Sequence, residues 1–153
     1  MTQATQRLYI PALGSIYSSV SEFAEPILRI ALGGILIPHG CQKLFGMFGG
    51  MGLSGNAALF DRIGYSPGMF WGTLVGLTEF IGGILLILGL FTRFAAVAVV
   101  IFMIEAVKFT SAKGFFWSNG GFEFPLLIGV CALYFLLRGG GYWSLDRTIG
   151  REL

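Results

Sequence analysis

An all-α fold, a bundle of four transmembrane helices with both chain ends on one side, is what this sequence predicts. Three observations carry that expectation. The 153-residue chain is 55% hydrophobic and only 12% charged, with a mean hydropathy of +0.78, whereas a water-soluble domain of this size needs more charge to cover its surface. Four apolar segments approach the roughly 20 residues that a helix needs to cross a bilayer core. None of them alternates in the manner of a lipid-facing barrel strand.

The first span is expected over residues 26–45, opening at Pro26, a residue suited to the first helical position. The second covers 69–90, and between Arg62 and Arg93 its only charge is Glu79. The third covers 93–110. The last covers 122–137, with Pro125 tolerated in its first turn and a Gly-Gly-Gly breaker after Arg138. Residues 1–25 read as a polar, interfacial segment without the apolar run of a secretory signal. Residues 26–146 then form the membrane domain and 147–153 a short tail. Between the first two spans, the stretch from Asn56 to Gly64 suits a short interfacial helix. Glycine, at 24 residues, suits close helix contacts, because lipid provides no hydrophobic drive between helices and packing must supply it.

An even number of spans leaves both ends on one side. Six basic residues (Arg7, Arg29, Arg93, Arg138, Arg147 and Arg151) fall on that side, and four (Lys43, Arg62, Lys108 and Lys113) on the other. The bias places the termini in the cytoplasm, and the bundle is expected in the inner, or plasma, membrane. A net charge of +2 gives no reason to expect nucleic acid. Cys41 and Cys131 lie in separate apolar segments without a CxxC. They read as small packing residues, with a redox pair as the alternative.

Helix rise converts sequence position into depth. Taking Arg29 as one boundary, His39 lies roughly 15 Å further in and Lys43 one turn beyond it. Glu79 falls near the midplane, and Glu105 and Glu123 in the same half as His39 and Lys43. Arg29, Arg93 and Asp146 share the opposite edge. The ionisable groups thus form two layers. Pro38 is expected to interrupt the first helix where the first layer begins, freeing the carbonyl of Gly34. Lys43 and Lys108 have a plain alternative as snorkelling boundary residues, and Glu123 as a helix-start charge. Glu79 stands apart, since a midplane carboxylate is costly unless paired or hydrated and marks a functional candidate.

The candidate site is therefore His39, Lys43, Glu79 and Glu123, expected around one interior cavity with Phe45, Trp71 and Phe116 near its walls. His39, Lys43, Trp71 and Glu79 would hold a small molecule, and Arg29, Arg93 and Asp146 form a structural polar cluster. No haem-attachment, zinc or dinucleotide motif is present, so no metal is expected.

The ordered set R-x3-G-x5-HG-x2-KLFG (Arg29, Gly33, His39, Gly40, Lys43, Leu44, Phe45 and Gly46), TEFIGGILLILGLFTR (78–93), Met103 with Ala106, KGFFWSNGGFEF (113–124) and GGGYWSLD (139–146) resembles DoxX family membrane proteins. The resemblance covers nearly the whole chain apart from its tails. It implies a four-helix membrane protein without a catalytic motif of its own, associated with redox systems such as thiosulfate:quinone oxidoreductase and oxidative-stress assemblies. The motif positions it carries over are Arg29, His39, Lys43, Glu79, Arg93, Glu123 and Asp146; Glu105 rests on depth alone.

Two functions follow as expectations. One is a membrane subunit of a redox system that binds a quinone-like molecule and works with a membrane or soluble redox partner. The other is a non-catalytic accessory subunit whose polar layers lock the helices. A transporter is disfavoured by the lack of an inverted repeat. A homo-oligomer stays open.

Overall fold

The computed structural model describes residues 8–152. Arg7, counted above for orientation, lies outside them. Among the described residues every regular element is helical: α1 (Gly14–Val20), α2 (Ala24–Phe45), α3 (Gly52–Arg62), α4 (Gly68–Leu88), α5 (Thr92–Ser111), α6 (Glu123–Arg138) and α7 (Leu145–Ile149). The four long helices α2, α4, α5 and α6 match the expected spans to within two residues at each end. They close a ring, α2 on α4, α4 on α5, α5 on α6 and α6 on α2. We call the end that carries the starts of α2 and α5 and the C-terminus of α6 the terminal end, and the other the loop end.

Leu32, Leu36, Leu86, Val99, Ile128 and Phe135, drawn from all four long helices, form the centre of the core. The outer surface is just as apolar, with Ile27, Ile101, Leu127 and Leu137 exposed. That pattern fits a lipid solvent and is unfavourable in water. Two helices, α4 and α5, are long and apolar enough to cross a membrane. The other two expected spans are less clear-cut. Helix α2 carries Glu25, Arg29 and Lys43 within its 22 residues, and α6 has only 16 residues, about 24 Å of helix.

Glycines set the helix spacing. A methyl group at Gly33 of α2 would collide with the carbonyl oxygen of Gly83 of α4, and one at Gly40 would meet the backbone of Phe80. Gly68 and Gly72, one turn apart on α4, admit Ala57 of α3 in the same way. Small residues thus bring backbones together where apolar attraction cannot.

Pro38 does not interrupt its helix: α2 runs unbroken from Ala24 to Phe45 and ends at Gly46 in the left-handed conformation. Proline within a membrane helix costs one backbone hydrogen bond, which local adjustment can absorb. The interfacial helix expected from Asn56 starts earlier, at Gly52, and packs on α4 and α2.

Candidate functional site

Glu79 sits in the middle of α4, 3% exposed, with Gly76 on one side and Gly82 and Gly83 on the other. Gly76 and Gly83 leave room for α2, against Leu44 and Gly33 respectively, and the last turn of α2 presents Lys43. The Lys43 Nζ donates to both carboxylate oxygens of Glu79, at 2.7 and 2.6 Å. The ammonium also lies 5.9 Å from the centre of the Phe102 ring on α5. A lysine so placed gives each carboxylate oxygen one hydrogen bond while keeping one N–H donor unused.

Lys43 is part of the wall of a cavity of about 440 Å³ between α3, α4 and α5. The lining is almost wholly apolar, with Trp71, Leu74, Ile101 and Phe102 prominent. Most of its few polar groups are fixed by partners. Asn56 of α3 is buried and donates from Nδ2 to the carbonyl of Gly72 at 3.0 Å. The Tyr65 hydroxyl donates to Glu105 Oε2 at 3.0 Å, and Lys108 donates to Glu105 Oε1 at 2.7 Å. The Glu105 carboxylate beside it holds the Tyr65 hydroxyl above the usual phenol range. Trp71 stands edge-on to Tyr65 with ring centres 5.7 Å apart.

The four candidates expected around one cavity therefore divide. Lys43 lines the cavity, Glu79 backs it through the ion pair, and Trp71 stands in its wall. His39 does not join them: its side chain is exposed, and its ring lies 6.4 Å from that of Phe124 on α6. Glu123 does not join them either. It opens α6 and accepts from the backbone N–H of Trp117 at 3.1 Å, tying the loop to the helix start. Phe45 packs edge-on to Phe80 at 5.4 Å, and Phe116 is exposed against Phe115; neither lines the cavity. The reason is rotational. Depth places a residue along the bundle axis, but the side it faces depends on which neighbour the helix packs against.

The second layer is a lock on the chain end. Arg29, 2% exposed, donates to the carbonyls of Gly140, Tyr142 and Trp143. Asp146 accepts from the backbone N–H groups of Phe91 and Thr92 at 2.8 and 2.9 Å, so a carboxylate from the C-terminal segment caps the positive end of α5. Between them lies Gly89, whose φ of +64° disfavours a side chain and whose lack of room beside Ser144 and the Arg29 guanidinium excludes one. Arg93 donates to the carbonyls of Leu136 and Leu137 and to Glu152 at 3.0 Å. The expected trio shares one end of the bundle. Its members hold backbone and tail groups, however, and form no ion pairs with one another.

Glu25 and Asn56 are among the buried polar groups that the sequence does not mark. Glu25 accepts from Arg138 Nε at 2.7 Å and from the Tyr142 backbone N–H at 2.9 Å, joining the start of α2 to the end of α6. Its position before Pro26 looks like an ordinary helix start. Asn56 looks like one more polar residue on an amphipathic helix, and nothing local marks it as buried.

A family model described as DoxX matches residues 25–113, the part that includes α2 to α5. A Mycobacterium tuberculosis protein named "Uncharacterized membrane protein Rv3486" is 31% identical over 138 residues, covering 82% of this chain and 80% of its own. A Haemophilus influenzae protein is 35% identical, covering 82% of this chain and 90% of its own. A Bacillus subtilis protein named "Putative oxidoreductase CatD" is 30% identical, covering 82% and 86%. No solved structure matches the chain at a significant level. With its family model matched over more than half its length and relatives aligned along most of it, this chain belongs to the DoxX family of membrane proteins.

Proposed function

We propose that this protein is a multi-pass inner-membrane subunit of a redox system, holding a quinone-like molecule in the cavity between α3, α4 and α5. The observation that carries the reading is the Lys43–Glu79 pair in the wall of that apolar cavity. A quinone is a flat ring with carbonyl acceptors, usually on an apolar tail. Aromatic and aliphatic walls with a cation offering one unused donor fit it. When bound, such a molecule supplies two-electron, two-proton chemistry.

The chain's own groups bind and manage protons. Lys43 Nζ donates to a carbonyl oxygen and fixes its position. Glu79 keeps that ammonium charged in a medium where charge is expensive, and exchanges the proton at Oε with Lys43. The Tyr65–Glu105–Lys108 chain at the cavity's loop end meets water. Trp71 supplies a face for the ring. His39 and Glu123, which stand outside the cavity, have no role in this step. No motif in the chain carries electrons, so a redox partner protein supplies them; the name of the Bacillus subtilis relative is consistent with that chemistry. All four long helices cross the bilayer, with the termini cytoplasmic as the basic residues favour.

A second reading, a non-catalytic accessory subunit, is favoured by the terminal end, where each buried charge secures the fold. One experiment separates the two. With Trp117 and Trp143 replaced by Phe, Trp71 reports on the cavity of the detergent-purified protein. Titration with a short-chain quinone should quench it saturably, and Lys43→Met should weaken binding roughly tenfold or more. Glu79→Gln should preserve binding and assembly but abolish turnover of the complex. Unsaturable quenching, with full activity in Glu79→Gln, would leave the accessory reading standing.

A further inference from the structure

The terminal end holds a second cavity, of about 450 Å³, that the redox reading does not use. Its walls are Glu25, Arg138, Tyr142 and, from the chain end, Asp146, Arg147 and Arg151. Gly141 forms part of the floor, packed so closely on Glu25 that no side chain could be added there.

The carboxylates around this cavity are already committed. Glu25 holds Arg138 and the Tyr142 N–H, Asp146 caps α5, and Glu152 holds Arg93. The guanidiniums are not all committed in return. Among the described residues, Arg147 and Arg151 form no ion pair and their side chains donate no hydrogen bond. Arg147 instead stands over the Tyr142 ring, its Cζ 4.4 Å from the ring centre, a cation–π contact that helps hold its donors in place. A concave site with two uncommitted guanidiniums suits a phosphate group.

The surroundings indicate where that phosphate comes from. Trp143, next to Tyr142, is 64% exposed and packs edge-on to Phe23 at 5.0 Å. Ile149 on α7 is exposed as well. An exposed tryptophan beside basic residues, at the level where the long helices end, marks headgroup depth. Basic pockets at this depth bind anionic lipid headgroups.

We propose that the cavity formed by Arg138, Tyr142, Arg147 and Arg151 binds the phosphate of an anionic phospholipid. The lock made by Arg29, Asp146 and Glu25 builds the site, and the two uncommitted arginines hold the ligand. Lipid occupancy would then tie the chain end to the membrane surface independently of anything bound between α3, α4 and α5.

Native mass spectrometry of the full chain, released from detergent with phosphatidylglycerol or phosphatidylcholine added, tests this. Phosphatidylglycerol should be retained and phosphatidylcholine lost, and excess inorganic phosphate should not displace the lipid. Arg147→Gln with Arg151→Gln should weaken retention roughly twenty-five-fold, at about one power of five per arginine. Arg151→Gln alone, which touches no hydrogen bond of the lock, should weaken it roughly fivefold and serves if the double variant does not fold. Displacement by inorganic phosphate would make this a site for free anions and overturn the lipid assignment. Equal retention of both lipids, or retention unchanged in the single and double variants, would overturn the site itself.

Discussion

The two ends of the bundle both bury charge, and they hold it differently. At the terminal end Arg29 and Asp146 turn to backbone groups, three carbonyls for the one and two N–H groups for the other. Glu25 divides itself between two side chains, Arg138 and Tyr134, and the Tyr142 N–H. At the loop end Lys43 and Glu79 turn to each other across two helices, beside a cavity. A charge held by backbone fixes the path of the chain, and its partner cannot leave without unfolding something. A charge held by a long side chain can trade that partner for a ligand or a proton. The kind of partner, more than burial itself, separates a lock from a site.

The largest effect is expected where the lock is broken. Arg29→Met leaves the carbonyls of Gly140, Tyr142 and Trp143 without their buried donor, at about 1–3 kcal/mol for each one left unsatisfied. Folded protein should be nearly lost from detergent extracts, read by fluorescence-detected size exclusion, while Arg151→Ala should keep the wild-type yield. Equal yields for both variants would remove the distinction between the two ends.

A smaller loss with a different signature is expected at the loop end. Lys43→Met strands Glu79 in an apolar setting, at about 3–5 kcal/mol. Adding Glu79→Leu removes the stranded charge and should restore most of the melting temperature, because a buried ion pair and an apolar pair are often similar in stability. No such rescue is available to Arg29, whose partners are backbone. If the Lys43 and Glu79 losses simply added, the two would be independent and the pair would not be the unit described.

These contrasts show how far the sequence could be read. The long helices were legible because apolar length is a local property, and the depth of Glu79 and Lys43 followed from counting along them. The neighbour that each side chain reaches was not legible. His39 and Lys43 are four residues apart on α2, yet the longer lysine reaches Glu79 while the imidazole stays beside Phe124 of α6. Glu25 was passed over because its partners Arg138 and Tyr142 lie more than a hundred residues away in sequence. Asn56 needed the packing of α3 on α4 to become buried. Glu105 could be placed by depth, but its hydrogen bond with Tyr65 depended on how the loop before α4 returns.

The smallest effect tests the middle of the bundle, where neither end governs. Gly33 and Gly34 are neighbours on α2 with opposite surroundings. A methyl group at Gly33 would land on the Gly83 carbonyl of α4, whereas one at Gly34 would meet nothing within 4 Å. Alanine in a helix is favoured over glycine by up to about 1 kcal/mol. Gly34→Ala should therefore leave the melting temperature unchanged or raise it slightly. Gly33→Ala must push α2 away from α4 and should cost about 1–3 kcal/mol. That separation is transmitted along both helices, so it should also loosen the Lys43–Glu79 contact and weaken quinone quenching of Trp71, while lipid retention at the terminal end stays unchanged. Equal melting temperatures for the two variants would mean that the Gly33–Gly83 approach is not what sets the spacing of these helices.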